Sequence, residues 1–427
     1  MTYNLSADKH VLTIKYNKRQ TFNITFHFTS IKTTKTFLQG LVTLLHKKKI
    51  EKNNLSELDI KFNSNIVNDY QEKCHWYDMP TFGNNDDVNK CPFVVINSDT
   101  QFFNDLNKIL NLDITDKTTF IWYPDRPKTL SAHNGEIFIS PKIIPKYPIY
   151  IISKGRWEKR YTSRYLEWCG IDYKIVVEPQ EYDEYGKVIN KNKILILPNK
   201  YLNKNQGGIP ARNFVLEHAR QSKSGRHWIL DDNIKSYKRL YMNERLVVRS
   251  GVVFRVVEDY VDRYTNIKMA GHNYAMFAIS TNLKPVIFNT RIYSSILLSN
   301  DIPFEWRGRY NEDTDLSLRL LKEGYPTVLF NCILAEKLTT LTQPGGNTDT
   351  IYAVKDAMYL KAKSLKDQHP DVVDVGERFG RIHHLVDYSK FKNLELIQKN
   401  NIIIPHKSNN YGMKIVNGEK YIKELNN

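Results

Sequence analysis

His227-Trp228-Ile229-Leu230-Asp231-Asp232-Asn233 is the stretch on which the fold turns. Its first four residues form an apolar, β-like run without polar alternation, the pattern of a strand buried on both faces. Two adjacent carboxylates follow at once. At the exit of a buried strand they repel each other and are costly unless a cation sits between them. Oxygen ligands of this kind suit Mg2+ or Mn2+ bridging a diphosphate. A turn or a helix N-cap accounts for the triplet equally well, because Asp and Asn favour both.

Working outward from this run, strand-like and helical segments alternate. Pro148 to Ser153, Lys174 to Val177 and Ile194 to Leu197 read as strands, and Glu158 to Cys169 and Ala211 to Gln221 as helices. The alternation argues for an α/β domain with a mostly parallel sheet covered by helices, its ligands lying beyond the carboxyl ends of the strands. Further upstream, Val11 to Tyr16 and Phe22 to Phe28 are strand-like and Phe37 to His46 helical, with Lys47-Lys48-Lys49 beginning a connection. Val94 to Ile96, Gln101 to Leu110 and Thr119 to Trp122 follow as strand, helix and strand. The expected organisation is an N-terminal segment 1–46, a small α+β module 47–128, a proline-bearing linker 129–146, the α/β domain 147–400 and a tail 401–427.

Composition fits this plan. The chain has 427 residues, 41% of them hydrophobic and 25% charged, which is ordinary globular usage and excludes wholesale disorder. The net charge of +16 favours a polyanionic partner such as DNA, or else reflects a general lysine bias. The four cysteines, Cys74, Cys91, Cys169 and Cys332, lie far apart and form no C-x-x-C pair, so a zinc site or disulfide framework is not expected. No signal-like apolar segment opens the chain and no apolar stretch approaches the ~20 residues of a membrane span. The expectation is a soluble, cytoplasmic protein.

Other stretches carry candidate chemistry. Asn311-Glu312-Asp313-Thr314-Asp315 precedes an apolar helical run, where its carboxylates complement a helix dipole or include a catalytic base. Trp306-Arg307-Gly308-Arg309-Tyr310, just upstream, supplies aromatic and cationic groups for an acceptor. Ser153-Lys154-Gly155-Arg156 follows the first strand of the domain, where a nucleotide would lie, or belongs to a solvated basic surface. Gln206 to Asn213 is a glycine-rich turn into a helix, and Arg212 within it can hold phosphate bidentately. Without a ligand it is a plain turn. Gln343 to Thr348 is a Pro/Gly loop that serves as a lid or as a connection. His383 and His384 lie among basic residues, for metal, phosphate or core packing.

Taken in order, these strings resemble the TET/JBP-associated glycosyltransferases, common in tailed phages and similar to the glucosyltransferase of base J synthesis. The resemblance rests on Ile175 to Tyr182, Ile209 to Asn213, His227 to Ile234, Trp306 to Leu318, Gly345 to Thr348 and His384-x-Val386-Asp387-Tyr388, and covers about residues 147–395. It implies a GT-A, Rossmann-like fold and transfer of a sugar from a nucleotide-sugar, a UDP-sugar, to a hydroxymethylated pyrimidine in DNA inside an infected bacterium. Asp313, with Glu312 as rival, is then the base of an inverting reaction. Ser153, Lys154, Arg156, Arg212, Asp231, Asp232, Gly345, Gly346 and Asn347 would bind the donor. Asp231, Asp232, Asn233 and His384 would hold Mn2+ or Mg2+. Trp306, Arg307, Arg309, His272 and Asn273 would meet the acceptor DNA. Asn233 stands where many GT-A enzymes have a metal-binding Asp, so the metal is either weakly held or dispensable. A protein or glycan acceptor, and an inactive DNA-binding module, are the alternative functions.

Overall fold

The computed structural model describes residues 11–15, 22–28, 57–61, 75–82, 93–98, 100–115, 118, 120–123, 135–202, 204, 206–241, 244–278, 283–338, 356–378 and 380–426. The chain divides into two units, one comprising 1–73 and 83–132, the other 74–82 and 133–427. In the first unit, β1 (Val11–Lys15) pairs antiparallel with β3 (Glu57–Lys61). The central β2 (Phe22–Phe28) lies between β4 (Phe93–Ser98), antiparallel, and β5 (Phe120–Tyr123), parallel. Both pairings cross the boundary expected at residue 46, so the first two segments fold as one unit. The helix expected over 37–46 lies outside the described residues, as do Gly345, Gly346 and Asn347.

The second unit is built on one large mixed sheet, which gives the α/β class expected. One half is parallel: β10 (Arg226–Asp231) beside β7 (Ile149–Ile152), then β8 (Lys174–Val177) and β9 (Ile194–Ile196). On its other side β10 pairs antiparallel with β15 (Ser295–Ser299), which also pairs antiparallel with β13 (Met269–Tyr274). The eleven-residue β16 (Thr327–Lys337) then joins β13, the short β14 (Val286–Phe288) and β11 (Ile234–Tyr241). β12 (Glu244–Arg249), β6 (Glu136–Ile139) and β19 (Lys414–Asn417) complete the far edge. β6 falls in the expected linker and β19 in the expected tail. Both are therefore strands of the sheet, and the domain reaches beyond 147–400 at each end. A two-stranded hairpin, β17 (Val373–Arg378) with β18 (Arg381–Val386), packs beside the helix Ala357–Gln368.

Burial explains the central strands. Trp228, Ile229 and Leu230 of β10 are fully buried, and so are Val328, Phe330, Ile333 and Leu334 of β16. Such runs belong in the middle of a sheet covered on both faces. The helix Ile209–Gln221 covers one face with Ile209, Val215, Leu216 and Ala219. The helix Val252–Val261 covers the other, and its Phe254 packs on Trp228 and Tyr237. Gly271 lets β13 approach β15 closely, because a Cβ there would fall onto the carbonyl oxygen of Ser295. β15 is preceded by Ser294, whose carbonyl accepts from Asp231 N at 2.8 Å. Packing of these strands thus sets the floor of the site.

Candidate functional site

Two neighbouring parallel strands end side by side, β7 at Ile152 and β10 at Asp231, and their first loop residues meet. Asp232 accepts from Ser153 Oγ at 2.7 Å and from Arg156 Nη1 at 2.6 Å. Tyr185 completes the group: its hydroxyl lies 2.5 Å from Ser153 Oγ and accepts from Arg156 N at 3.2 Å. Burial pushes the Asp232 carboxyl up, against the opposing charge of Arg156. Lys154 points elsewhere, to an ion pair with Glu178 at 2.7 Å, and is half exposed.

Asp231 is gripped from both sides. Arg212, from the helix Ile209–Gln221, reaches Oδ1 at 3.0 Å. Lys337, the last residue of β16, donates to Oδ2 at 2.8 Å, and Ser294 Oγ donates to the same oxygen at 2.5 Å. Burial alone would raise this carboxyl. The charges of Lys337 and Arg212, with the hydrogen bonds from Lys337 and Ser294, outweigh it and hold the group well below the carboxylate range. Lys337 is kept charged in return, because Asp231 and Tyr274 overcome its burial. Arg212 stacks on the Trp306 ring at 4.9 Å and pairs with Glu312 at 3.3 Å.

The third wall is the helix Glu312–Lys322. Asn311 takes a left-handed conformation (φ 54°), which Asn tolerates better than most residues, and so turns the chain into the helix. Glu312, Asp313 and Asp315 then occupy the first turn, where they complement the dipole, as Arg319 and Lys322 do in the last. They have separate fates. Asp315 is fully buried and receives His369 Nε2 at 2.9 Å, Arg307 Nη2 at 2.9 Å and Arg319 Nε at 2.8 Å. It anchors the helix. Asp313 is half-buried and accepts from its neighbour Thr314, whose N–H lies at 2.7 Å. Burial, and then the charge of Glu312, push its carboxyl up to about 6 against the pull of Arg212 and Lys361. Its own charge acts on Arg212, Lys337, Tyr274, Tyr293, Arg291 and Tyr388, which lie near enough to feel it.

The residues expected to hold a divalent cation do not fit one. Both oxygens of Asp231 and both of Asp232 are taken by cations and hydroxyls. Among the described residues no group of three or more Asp, Glu, His or Cys side chains is placed to hold a metal. A dication on Asp231 would compete with the Lys337 ammonium, which already holds Oδ2 at 2.8 Å, and the two like charges repel. Asn233 sits in the turn between β10 and β11, its carbonyl accepting from Leu338 N at 3.1 Å. His384, in β18, is half-buried. Burial and the neighbouring cations Lys361 and Arg291 lower it to about 4. Lys361 acts on both His384 and Asp313, which puts His384 near the base.

Of the residues expected to touch the acceptor, His272 and Asn273 are core groups. His272 is fully buried, stacked on Trp228 at 5.2 Å and hydrogen-bonded to Ser295 Oγ and Val253 O, both at 2.8 Å. Asn273 donates to Asn331 Oδ1 at 2.8 Å and accepts from Tyr274 N at 2.8 Å. Both side chains are buried. Trp306 is buried beneath Arg212, and Arg307 is tied to Asp315 though half exposed. Arg309 is half-buried over the Tyr310 ring at 5.5 Å. Sequence reasoning missed Lys337, Ser294, Tyr185, Tyr274, Arg291 and Lys361. For Lys337 a signal existed: it follows the long apolar run Thr327 to Ala335, and carboxyl ends of such runs are where ligands bind.

Cations fixed at the ends of central strands suit a phosphorylated donor, and a carboxylate of raised proton affinity across from them suits an acceptor hydroxyl. That combination fits group transfer from a phosphorylated donor on a Rossmann-like fold. Residues 147–346 match the sequence model of the family described as TET-Associated Glycosyltransferase. The match ties this segment to that family and supports a glycosyltransferase enzyme, a class whose donor is a nucleotide-sugar. No curated protein matches the chain. No helix among the described residues is long and apolar enough to cross a membrane.

Proposed function

We propose that the protein transfers a sugar from a UDP-sugar to the hydroxymethyl group of 5-hydroxymethylcytosine or 5-hydroxymethyluracil in phage DNA, with inversion at the anomeric carbon. The observation that carries this reading is Asp313, a half-buried carboxyl raised to about 6 at the head of a helix, across from Arg212 and Lys337. At pH 7 such a group is about 90% ionised yet far more basic than an ordinary carboxylate, which suits a general base.

Ser153 and Arg156 flank the nucleoside, with Lys154 at the rim. Arg212 meets the diphosphate, held in place by Asp231, Glu312 and the Trp306 ring. Asp313 takes the hydroxymethyl proton as the oxygen attacks the anomeric carbon, and the bond from that carbon to the diphosphate breaks with its electron pair leaving on UDP. A base stacked in a duplex cannot enter the site, so the pyrimidine is flipped out or single-stranded. The +16 charge of the chain supports a nucleic-acid acceptor over a neutral glycan. The test is transfer to hydroxymethylated DNA by wild type and by Asp313→Asn. Full activity in the variant would remove Asp313 from the mechanism.

A further inference from the structure

We infer that the donor diphosphate is received by cations built into the fold, with Lys337 standing where a divalent metal was expected, so that the donor binds without metal. The inference rests on the nucleotide-sugar reading above.

Three observations carry it. An ammonium has three N–H donors. Those of Lys337 reach Asp231 Oδ2 at 2.8 Å and Ser294 Oγ at 2.7 Å, and its contact to Tyr274 OH is long at 3.4 Å. The donor on Tyr274 is the weakly held one and can turn to an anion, and the side chain keeps 15% of its surface open.

Arg212 supplies the second observation. It is 3% exposed, yet its Nη1 finds no hydrogen-bond partner among the described residues. Its Nε meets Glu312 at 3.3 Å as an ion pair only, without the alignment of a hydrogen bond. Buried donors left unpaired are costly, and a guanidinium fork is matched by phosphate oxygens. A ligand that completes Arg212 removes that cost.

The third is their common anchor. Nη2 of Arg212 sits on one oxygen of Asp231 at 3.0 Å and Nζ of Lys337 on the other at 2.8 Å, so one carboxylate fixes both charges at the end of the central strand. Together they bring the same +2 that a divalent cation would bring to a leaving diphosphate. Asp231 thereby acts as a positioning residue for two cations. Lys337 lies in the matched segment but 106 residues from Asp231 in sequence, so only the fold brings them together.

The experiment is calorimetric titration of the full chain with UDP, GDP, ADP and dTDP, in excess EDTA and again with Mn2+. At least one diphosphate is expected to bind with the same affinity under both conditions. Lys337→Ala should weaken that diphosphate about 10- to 100-fold in EDTA, the loss of a charge-assisted hydrogen bond, while the matching nucleoside loses little. Mn2+ should restore part of the binding to Lys337→Ala, because Asp231 is then released. Lys337→Arg, which keeps the charge and the anchor, should bind nearly as wild type and covers the case in which the alanine variant does not fold. Wild-type binding only in the presence of metal overturns the inference and leaves the glycosyltransferase reading intact. Failure of all four diphosphates to bind under either condition overturns the donor site itself.

Discussion

Replacing Asp313 with Asn should abolish transfer and at the same time make the protein more stable. The carboxyl is raised from the usual 3.8 to about 6, chiefly by burial and then by Glu312. Each pH unit of such a rise corresponds to about 1.4 kcal/mol of preference for the neutral form, so the ionised group costs the fold up to about 3 kcal/mol. Partial exposure of Asp313 screens this, and about 1–2 kcal/mol is the working figure, roughly 2–5 °C in melting temperature. The sign follows from the folded value lying above the unfolded one. Below about pH 4 the group is protonated in both states, and wild type and variant should melt alike. As pH rises from about 4 to 6 wild type loses stability that the variant keeps, and above about 6 the gap is constant. The amide that replaces the carboxyl keeps an oxygen to accept from Thr314 N, now at 2.7 Å, so the helix start survives. The assay is differential scanning fluorimetry from about pH 4 to 8, alongside transfer rates. A variant that melts lower than wild type above pH 7, or one that retains transfer, refutes the reasoning.

Further outcomes are expected. The acid limb of the transfer rate should lie near pH 6 and move lower in Glu312→Gln, because the charge that raises Asp313 is gone; an unmoved limb contradicts the pairing. Asp315→Ala should cost about 3–5 kcal/mol in denaturant titrations, since it strands Arg307, Arg319 and His369 around an empty position. His272→Leu should lower stability by about 2–4 kcal/mol through lost bonds to Ser295 and Val253, with the KM for DNA unchanged in the folded fraction. Removing residues 401–427 should lower the melting temperature, because β19 then no longer covers the edge of β6; an unchanged melt would return this segment to the status of a tail.

What was legible in the sequence was local. β10 and the helix Ile209–Gln221 announce themselves as an uninterrupted apolar run and a 3.6-residue pattern, and the acids of Glu312–Asp315 mark a helix start. β11 does not, since Ile234–Tyr241 carries Lys235, Lys238 and Arg239. Lys235 is exposed, and the other two charges are satisfied within the fold. Arg239 is 3% exposed and donates to Thr81 O and Asn410 Oδ1, and Lys238 pairs with Glu336 on the neighbouring strand at 2.8 Å. Such pairs give a buried strand the composition of a loop. β6 and β19 are four residues each, too short for a period to show. The site divides in the same way. Asp231, Arg212 and Asp313 stand in recognisable strings, but Lys337 and Ser294 reach Asp231 from 106 and 63 residues away. No spacing rule links them. With them comes the reversal of the metal expectation, because the partner of the paired carboxylates turns out to be a lysine and two arginines.

The most direct test of the account is mass spectrometry of nucleosides from hydroxymethylated DNA incubated with the protein and a panel of nucleotide-sugars, in EDTA and with Mn2+. A sugar-sized gain on 5-hydroxymethylcytosine or 5-hydroxymethyluracil is the predicted result, and it names donor and base together. Unmodified pyrimidines, with free sugar nevertheless released from a donor, would contradict the DNA acceptor and point to a protein or glycan in its place.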